Sequence, residues 1–210
     1  MSDDTTPNDI RNRNRNRTLL LLLFAMFFGS MLIAGALRFS GWRPSGTKNV
    51  GELLDPPGDV RALTPRLLSG GDYAWKAGER TWRIVVAPRA DCGTECATLA
   101  REIETVWQLF GKDADDVHVL WLCPTDACAW PAGVPQPATL KLLAPDAQLR
   151  AGLPRVDDTT VAATNASAST SGRGVPAYVI DPYGFVILRY APGFDPSGLR
   201  TDVARLVKLK

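Results

Sequence analysis

Trp82-Arg83-Ile84-Val85-Val86-Ala87-Pro88, followed after a short loop by Cys92-Gly93-Thr94-Glu95-Cys96, is the stretch on which the fold turns. Its first six residues form a β-branched run that a proline closes, which reads as a strand. Beyond the cysteines, Leu99, Ile103, Val106, Trp107 and Phe110 recur at intervals of three and four, so they share one face of a helix that Gly111 ends. Val117-His118-Val119-Leu120-Trp121-Leu122 reads as a second strand, apolar on both faces apart from its histidine, as a central parallel strand is. The cysteine pair therefore stands where a strand gives way to a helix.

Downstream, residues 129–137 carry Pro131, Pro135 and Pro137 and read as loop. Residues 139–144 predict a short strand, 146–153 a turn of helix, and the Ala-, Ser- and Thr-rich 161–174 a flexible insertion. Residues 177–180 and 185–190 predict two strands joined at Asp181-Pro182-Tyr183-Gly184, where proline presets the turn and glycine takes a positive φ. Asp195 or Ser197 can cap a last helix with Leu199, Val203 and Leu206 on one face. A βαβ unit followed by a ββα unit is the thioredoxin-like α/β arrangement, and a cysteine pair at its first strand–helix junction lies where that fold keeps its redox site.

Upstream, residues 18–37 hold 20 residues without a charge, including the run Leu19-Leu20-Leu21-Leu22-Leu23. As a helix they span roughly 30 Å, the thickness of a hydrocarbon core. A single transmembrane helix over 18–38 is expected, after a polar, disordered cytoplasmic tail (1–17). A juxtamembrane stalk and hairpin follow (39–80), then a thioredoxin-like domain (81–210). Ala34-Gly35-Ala36 has the form of a signal-peptidase site, but the apolar run before it is longer than a signal segment needs, so an uncleaved anchor is expected. Four arginines precede the span (Arg11, Arg13, Arg15, Arg17) and three basic residues follow it (Arg38, Arg43, Lys48), a slight positive-inside bias.

The net charge of +2 and the lack of a basic stripe interleaved with aromatics argue against nucleic acid as a partner. The four cysteines form two close pairs, Cys92/Cys96 and Cys123/Cys128. Paired cysteines after an export-type anchor point to an oxidising compartment. Zinc is disfavoured, because the spacings are C-x3-C and C-x4-C and His118 is the one histidine. At a helix start, backbone N–H groups and the helix dipole stabilise a thiolate on the leading cysteine. Cys92 and Cys96 can close a disulfide or bind a soft metal such as Cu(I). Val175-Pro176 precedes the third strand, where thioredoxin-like proteins place a proline, usually cis, opposite the cysteines. Cys123 ends its strand on the same edge. With Cys128 it forms a local structural disulfide, or else supplies a resolving thiol or a third sulfur ligand. His118 lies some 16 Å from that edge at about 3.3 Å per residue and reads as a packed or edge histidine. Asp91, Glu95 and Asp126 read as solvated loop charges.

The anchor, the Cys-x3-Cys pair, the central strand and Pro176-Ala177-Tyr178-Val179-Ile180-Asp181-Pro182-Tyr183-Gly184 resemble the Sco/SenC group. These are membrane-tethered thioredoxin-fold proteins that help assemble the copper centre of cytochrome c oxidase. The resemblance covers about residues 80–208. It implies a bacterial inner-membrane protein with a periplasmic domain and, as partners, the membrane and respiratory oxidase subunits or assembly factors. Two departures stand out. Gly93 and Ala97 occupy places where Sco proteins usually have proline, and the copper-binding histidine falls near Arg173, where there is none. Three functions follow: a thiol–disulfide oxidoreductase or scaffold with Cys92 attacking and Cys96 resolving, a Cu(I) carrier using Cys92, Cys96 and Cys123, or a non-catalytic protein with two structural disulfides.

Overall fold

The computed structural model describes residues 7–40, 48–158 and 174–209, with side chains from residue 14 onward. The chain divides into two compact units, Met1–Thr47 and Lys48–Lys210.

In the first unit a helix, α1, runs over Pro7–Phe39. Within it Asn14–Phe39 is long and apolar enough to cross a membrane, and none of it is buried by the rest of the chain. A helix apolar all round and without protein cover suits a nonpolar solvent. The helix itself begins before the expected span, so the polar Arg-Asn run, expected as disordered, is helical from Pro7. Extending an existing helix costs far less than nucleating one, so a stable apolar stretch carries its polar flank with it.

The second unit is a six-stranded sheet in the order β1-β6-β5-β2-β3-β4. Its strands are β1 (Glu52–Asp59), β2 (Trp82–Val86), β3 (Val117–Leu122), β4 (Leu140–Leu143), β5 (Ala177–Ile180) and β6 (Phe185–Tyr190). β2, β3 and β4 are parallel, with Val86 opposite Trp121 and Trp121 opposite Leu142. β5 is antiparallel to β2, and β6 to β5. α2 (Gly93–Gln108) crosses from β2 to β3, α3 (Ala147–Ala151) follows β4, and α4 (Pro196–Val207) follows β6. The thioredoxin-like core read from the sequence is therefore present, extended by one strand at each edge.

Strand alternation sorts the core into two layers. Ile84, Val86, Val119, Trp121 and Val179 pack with α2 and α4 on one face. Val85, Leu120, Tyr178 and Ile180 pack with Val60, Tyr73, Leu149 and Leu153 on the other. The β5–β6 turn is held by Asp181, whose Oδ1 accepts from the backbone N–H of Tyr183, Gly184 and Phe185 at 2.8–2.9 Å. Gly184 supplies the positive φ of +101°.

The segment expected as stalk and hairpin contributes β1, which pairs with β6 as an edge strand. Its Pro56 and Pro57 have no N–H to donate to a ladder, and the register shifts between Leu53 and Gly58 to accommodate them. Around Gly70-Gly71 the chain makes a single antiparallel bridge, Arg66 opposite Asp72. The insertion expected at 161–174 lies outside the described residues up to Arg173.

Candidate redox site

β2 ends at Val86, and Pro88 stops further pairing. Arg89 O accepts from Cys92 N at 3.3 Å, turning the chain into α2. Cys92 is the residue preceding the helix, and its carbonyl accepts from Glu95 N and Cys96 N at 3.1 and 3.4 Å. With three residues between them the two sulfurs meet across this first turn. They form a disulfide with a Cα–Cα distance of 5.4 Å. Gly93 takes a φ of +48°, which lets the turn close.

Both half-cystines are buried, Cys92 at 7% and Cys96 at 9% relative exposure, although Gly93 and Thr94 between them are exposed. Val175 shares their buried layer. A Cβ on Gly174 would stand 2.9 Å from Glu95 Oε2, so the chain entering β5 runs directly against the cysteine turn. Pro176 is buried at that corner, and the Val175–Pro176 bond is trans. The cis bond among the described residues is Asp55–Pro56. On the other side of the β2 end, Arg150 of α3 donates from one nitrogen to Ala87 O at 3.1 Å and Pro88 O at 3.4 Å. That guanidinium sits more than 60 positions from the strand it ties down, and no spacing signal marks it.

The second pair, Cys123 and Cys128, is also a disulfide, with a Cα–Cα distance of 5.6 Å. Cys123 is 1% exposed and belongs to the same buried layer as Cys92 and Cys96, while Cys128 is half-buried against it. The structure thus brings Cys92, Cys96, Cys123, Val175 and Pro176 to one end of the sheet.

His118 is elsewhere. Its place opposite Arg83 puts it toward the layer of Val85 and Leu120, near the start of β3. Tyr73 Oη accepts from Arg83 Nε at 2.9 Å and shares a hydrogen bond with His118 Nδ1 at 2.8 Å. Burial first, then the Arg83 guanidinium, push the imidazole pKa down to about 4. The sequence reading of a packed histidine is right, but its partner Tyr73, 45 positions away, is invisible in any local pattern. Asp91 is exposed and paired with Arg89 at 3.2 Å, whose hydrogen bond lowers its pKa. Asp126 is exposed as well.

Among the described residues no group of three His, Cys, Asp or Glu side chains converges as a metal site requires. The donors at the candidate site are half-cystines joined in pairs, and the one histidine is committed to Tyr73. These residues do not fit a Cys2His copper centre. The position near Arg173 lies outside the described residues.

Residues 82–210 match a family model described as "Transmembrane-like, thioredoxin-like, C-terminal domain". The chain belongs to this family. The transmembrane-like, thioredoxin-like description agrees with α1 and with the βαβ–ββα core. No curated protein matches the chain. Among solved structures it is similar to BsSco, a member of the Sco family of cytochrome c oxidase assembly proteins. The two share 12% identity over 80% of this chain and 100% of that one, with a TM-score of 0.49. Yeast Sco1 with copper bound shares 13% identity over 79% and 96%, also at 0.49. Peroxiredoxin Q from Xanthomonas campestris shares 15% over 77% and 98%, at 0.46. These are likenesses of fold at low identity.

Proposed function

We propose that this protein is a membrane-anchored, Sco-like thiol–disulfide protein of respiratory oxidase biogenesis, with Cys92 as the attacking and Cys96 as the resolving sulfur. The observation that carries this is the closed Cys92–Cys96 disulfide at the β2–α2 junction, against the Val175-Pro176 corner. When it is reduced, a thiolate on Cys92 lies at the positive end of α2. It attacks a client disulfide, giving a mixed disulfide and a client thiolate. Cys96 then attacks Cys92, re-forming the bridge and releasing the client as a dithiol. Closed disulfides fit an oxidising compartment, so the domain is assigned to the periplasmic side of a bacterial inner membrane.

The test uses the full chain in detergent, equilibrated against glutathione or dithiothreitol buffers with Cys123 and Cys128 replaced by serine. A midpoint for Cys92–Cys96 clearly above about −300 mV, the upper range of structural bridges, is expected. Loss of terminal oxidase activity in cells carrying Cys92→Ser is expected alongside it. A bridge that resists reduction below that potential would leave only a scaffold. Stoichiometric Cu(I) uptake by the reduced chain against a competing chelator, lost in Cys92→Ser, would make it a carrier instead.

A further inference from the structure

The two disulfides are not independent features of the fold. β2 and β3 are neighbouring parallel strands in register, Val86 opposite Trp121, so Cys123 leaves β3 on the same end of the sheet at which β2 turns toward Cys92. By strand alternation Cys123 follows Val119 and Trp121 onto the face beneath α2, and all three belong to the buried layer that holds Cys92 and Cys96. With Cys123 at 1% exposure, its sulfur is closed to thiols arriving from solvent but faces the interior where the other bridge lies.

The second bridge closes a loop whose ends have hydrogen bonds of their own. Trp130 packs edge-on against Trp121 at 5.0 Å, and its Nε1 donates to Val134 O at 3.1 Å. Cys123 N donates to Leu143 O at 3.0 Å, and Cys128 N to Thr125 O at 3.2 Å. A bridge across so short a loop removes little chain entropy.

We infer that Cys123–Cys128 is a second redox pair that exchanges with Cys92–Cys96 inside the domain. This rests on the thiol–disulfide reading of Cys92. An external dithiol donor, itself oxidised to its disulfide, reduces Cys92–Cys96 first. The Cys92 thiolate then attacks the Cys123–Cys128 bridge, breaking that S–S bond, forming a mixed disulfide and leaving one thiolate in the 123–128 loop. Cys96 attacks Cys92, which restores Cys92–Cys96 and releases the second thiol of the loop. The electron pair passes from the outer pair to the inner one, and the protons lost by Cys92 and Cys96 are matched by those gained at Cys123 and Cys128. In the oxidised chain the sulfurs do not converge, so the freed Cys92 turn closes the gap. Its exposed Gly93, in a left-handed conformation, is the pivot.

The experiment uses full-length Cys96→Ser in detergent, with Cys123–Cys128 oxidised, raised to about pH 8.5, where an ordinary thiol is substantially ionised, and then alkylated and digested with trypsin. Peptide 90–101 disulfide-linked to peptide 113–141 within a monomer, with one alkylated cysteine in the latter, is the expected product. An intact bridge in 113–141 beside fully alkylated Cys92 overturns the relay. Wild-type chain with one equivalent of dithiothreitol gives a second reading that needs no variant. Reduction found in 90–101 at early quench passes to 113–141 at later times, and reduction that never leaves 90–101 overturns the proposal. Exchange of Cys92–Cys96 with external dithiol in the Cys123→Ser/Cys128→Ser chain is a separate result, and its loss would sink the redox reading itself.

Discussion

Tyr190 Oη donates to Asp202 Oδ2 at 2.8 Å, deep in the layer beneath α4. The same carboxylate oxygen accepts from Val50 N at 2.7 Å and Gly51 N at 2.9 Å, while Oδ1 faces Arg205 at 3.6 Å. One buried carboxylate thus joins β6, α4 and the strap that leads into β1. Burial, then the Asp202 charge, hold the Tyr190 phenol far above its ordinary pKa. Asp202→Ala leaves two buried donors, Gly51 N and Tyr190 Oη, and the part-buried Val50 N without their acceptor and is expected to cost about 3–5 kcal/mol. Asp202→Asn keeps an accepting oxygen and costs less. Urea unfolding of the full chain reads both, and an unchanged midpoint in the alanine variant would refute the clamp.

The strap also sets how close backbone comes to ring. A Cβ on Gly51 would lie 2.6 Å from Tyr190 Cζ. Because Tyr190 is fixed by its own hydrogen bond, it cannot swing away cheaply. Gly51→Ala is expected to lose about 1–3 kcal/mol by overpacking. Since Gly51 and Asp202 act on the same tyrosine, the double variant should lose less than the sum, which a double-mutant cycle measures.

These contacts mark where sequence reading stops. The strands of the core were legible because Ile84-Val85-Val86, Val117–Leu122 and the turn at Asp181-Pro182-Tyr183-Gly184 carry their own punctuation. The cysteine pairs were legible because each closes within five residues. β1 was not, since prolines inside a strand read as linker, and only pairing with β6 from far along the chain makes it one. Asp202, Arg150 and the Tyr73–Arg83–His118 chain are long-range contacts between single residues, and no periodicity announces such a contact. The trans bond before Pro176 was hidden too, because the motif specifies a proline at that corner and not its isomer.

Tyr73, Arg83 and His118 make a pH-dependent element that the single histidine lets one observe directly. Its imidazole should titrate near pH 4 by NMR. Arg83→Gln removes the second cause of the depression and should move the midpoint back toward the ordinary value near 6.5. The folded pKa is below the unfolded one, so the neutral ring's contribution is present above about pH 6.5 and is lost as pH falls toward 4. Thermal midpoints should decline over that window, and less so in His118→Asn. A histidine titrating at its ordinary value would contradict the packing described.

Gly93 gives the sharpest test of the cysteine turn, because it stands where the resembling group usually carries proline. Its φ of +48° lies in the left-handed region, and proline is locked near −65°. Nothing lies within 4 Å of a Cβ added there, so any penalty comes from the backbone alone. Gly93→Ala should cost about 1 kcal/mol, the ordinary charge for a left-handed non-glycine residue. Gly93→Pro should cost about 3 kcal/mol or more, since the turn must be rebuilt. Opening the Cys92–Cys96 bridge frees the turn from that strain, so both variants should shift the equilibrium toward the dithiol. For the alanine variant that is a rise of about 20 mV in midpoint potential, from about 30 mV per 1.4 kcal/mol for a two-electron couple. Glutathione titration of the full chain measures it, and a proline variant with wild-type stability and potential would show that the turn does not need its glycine.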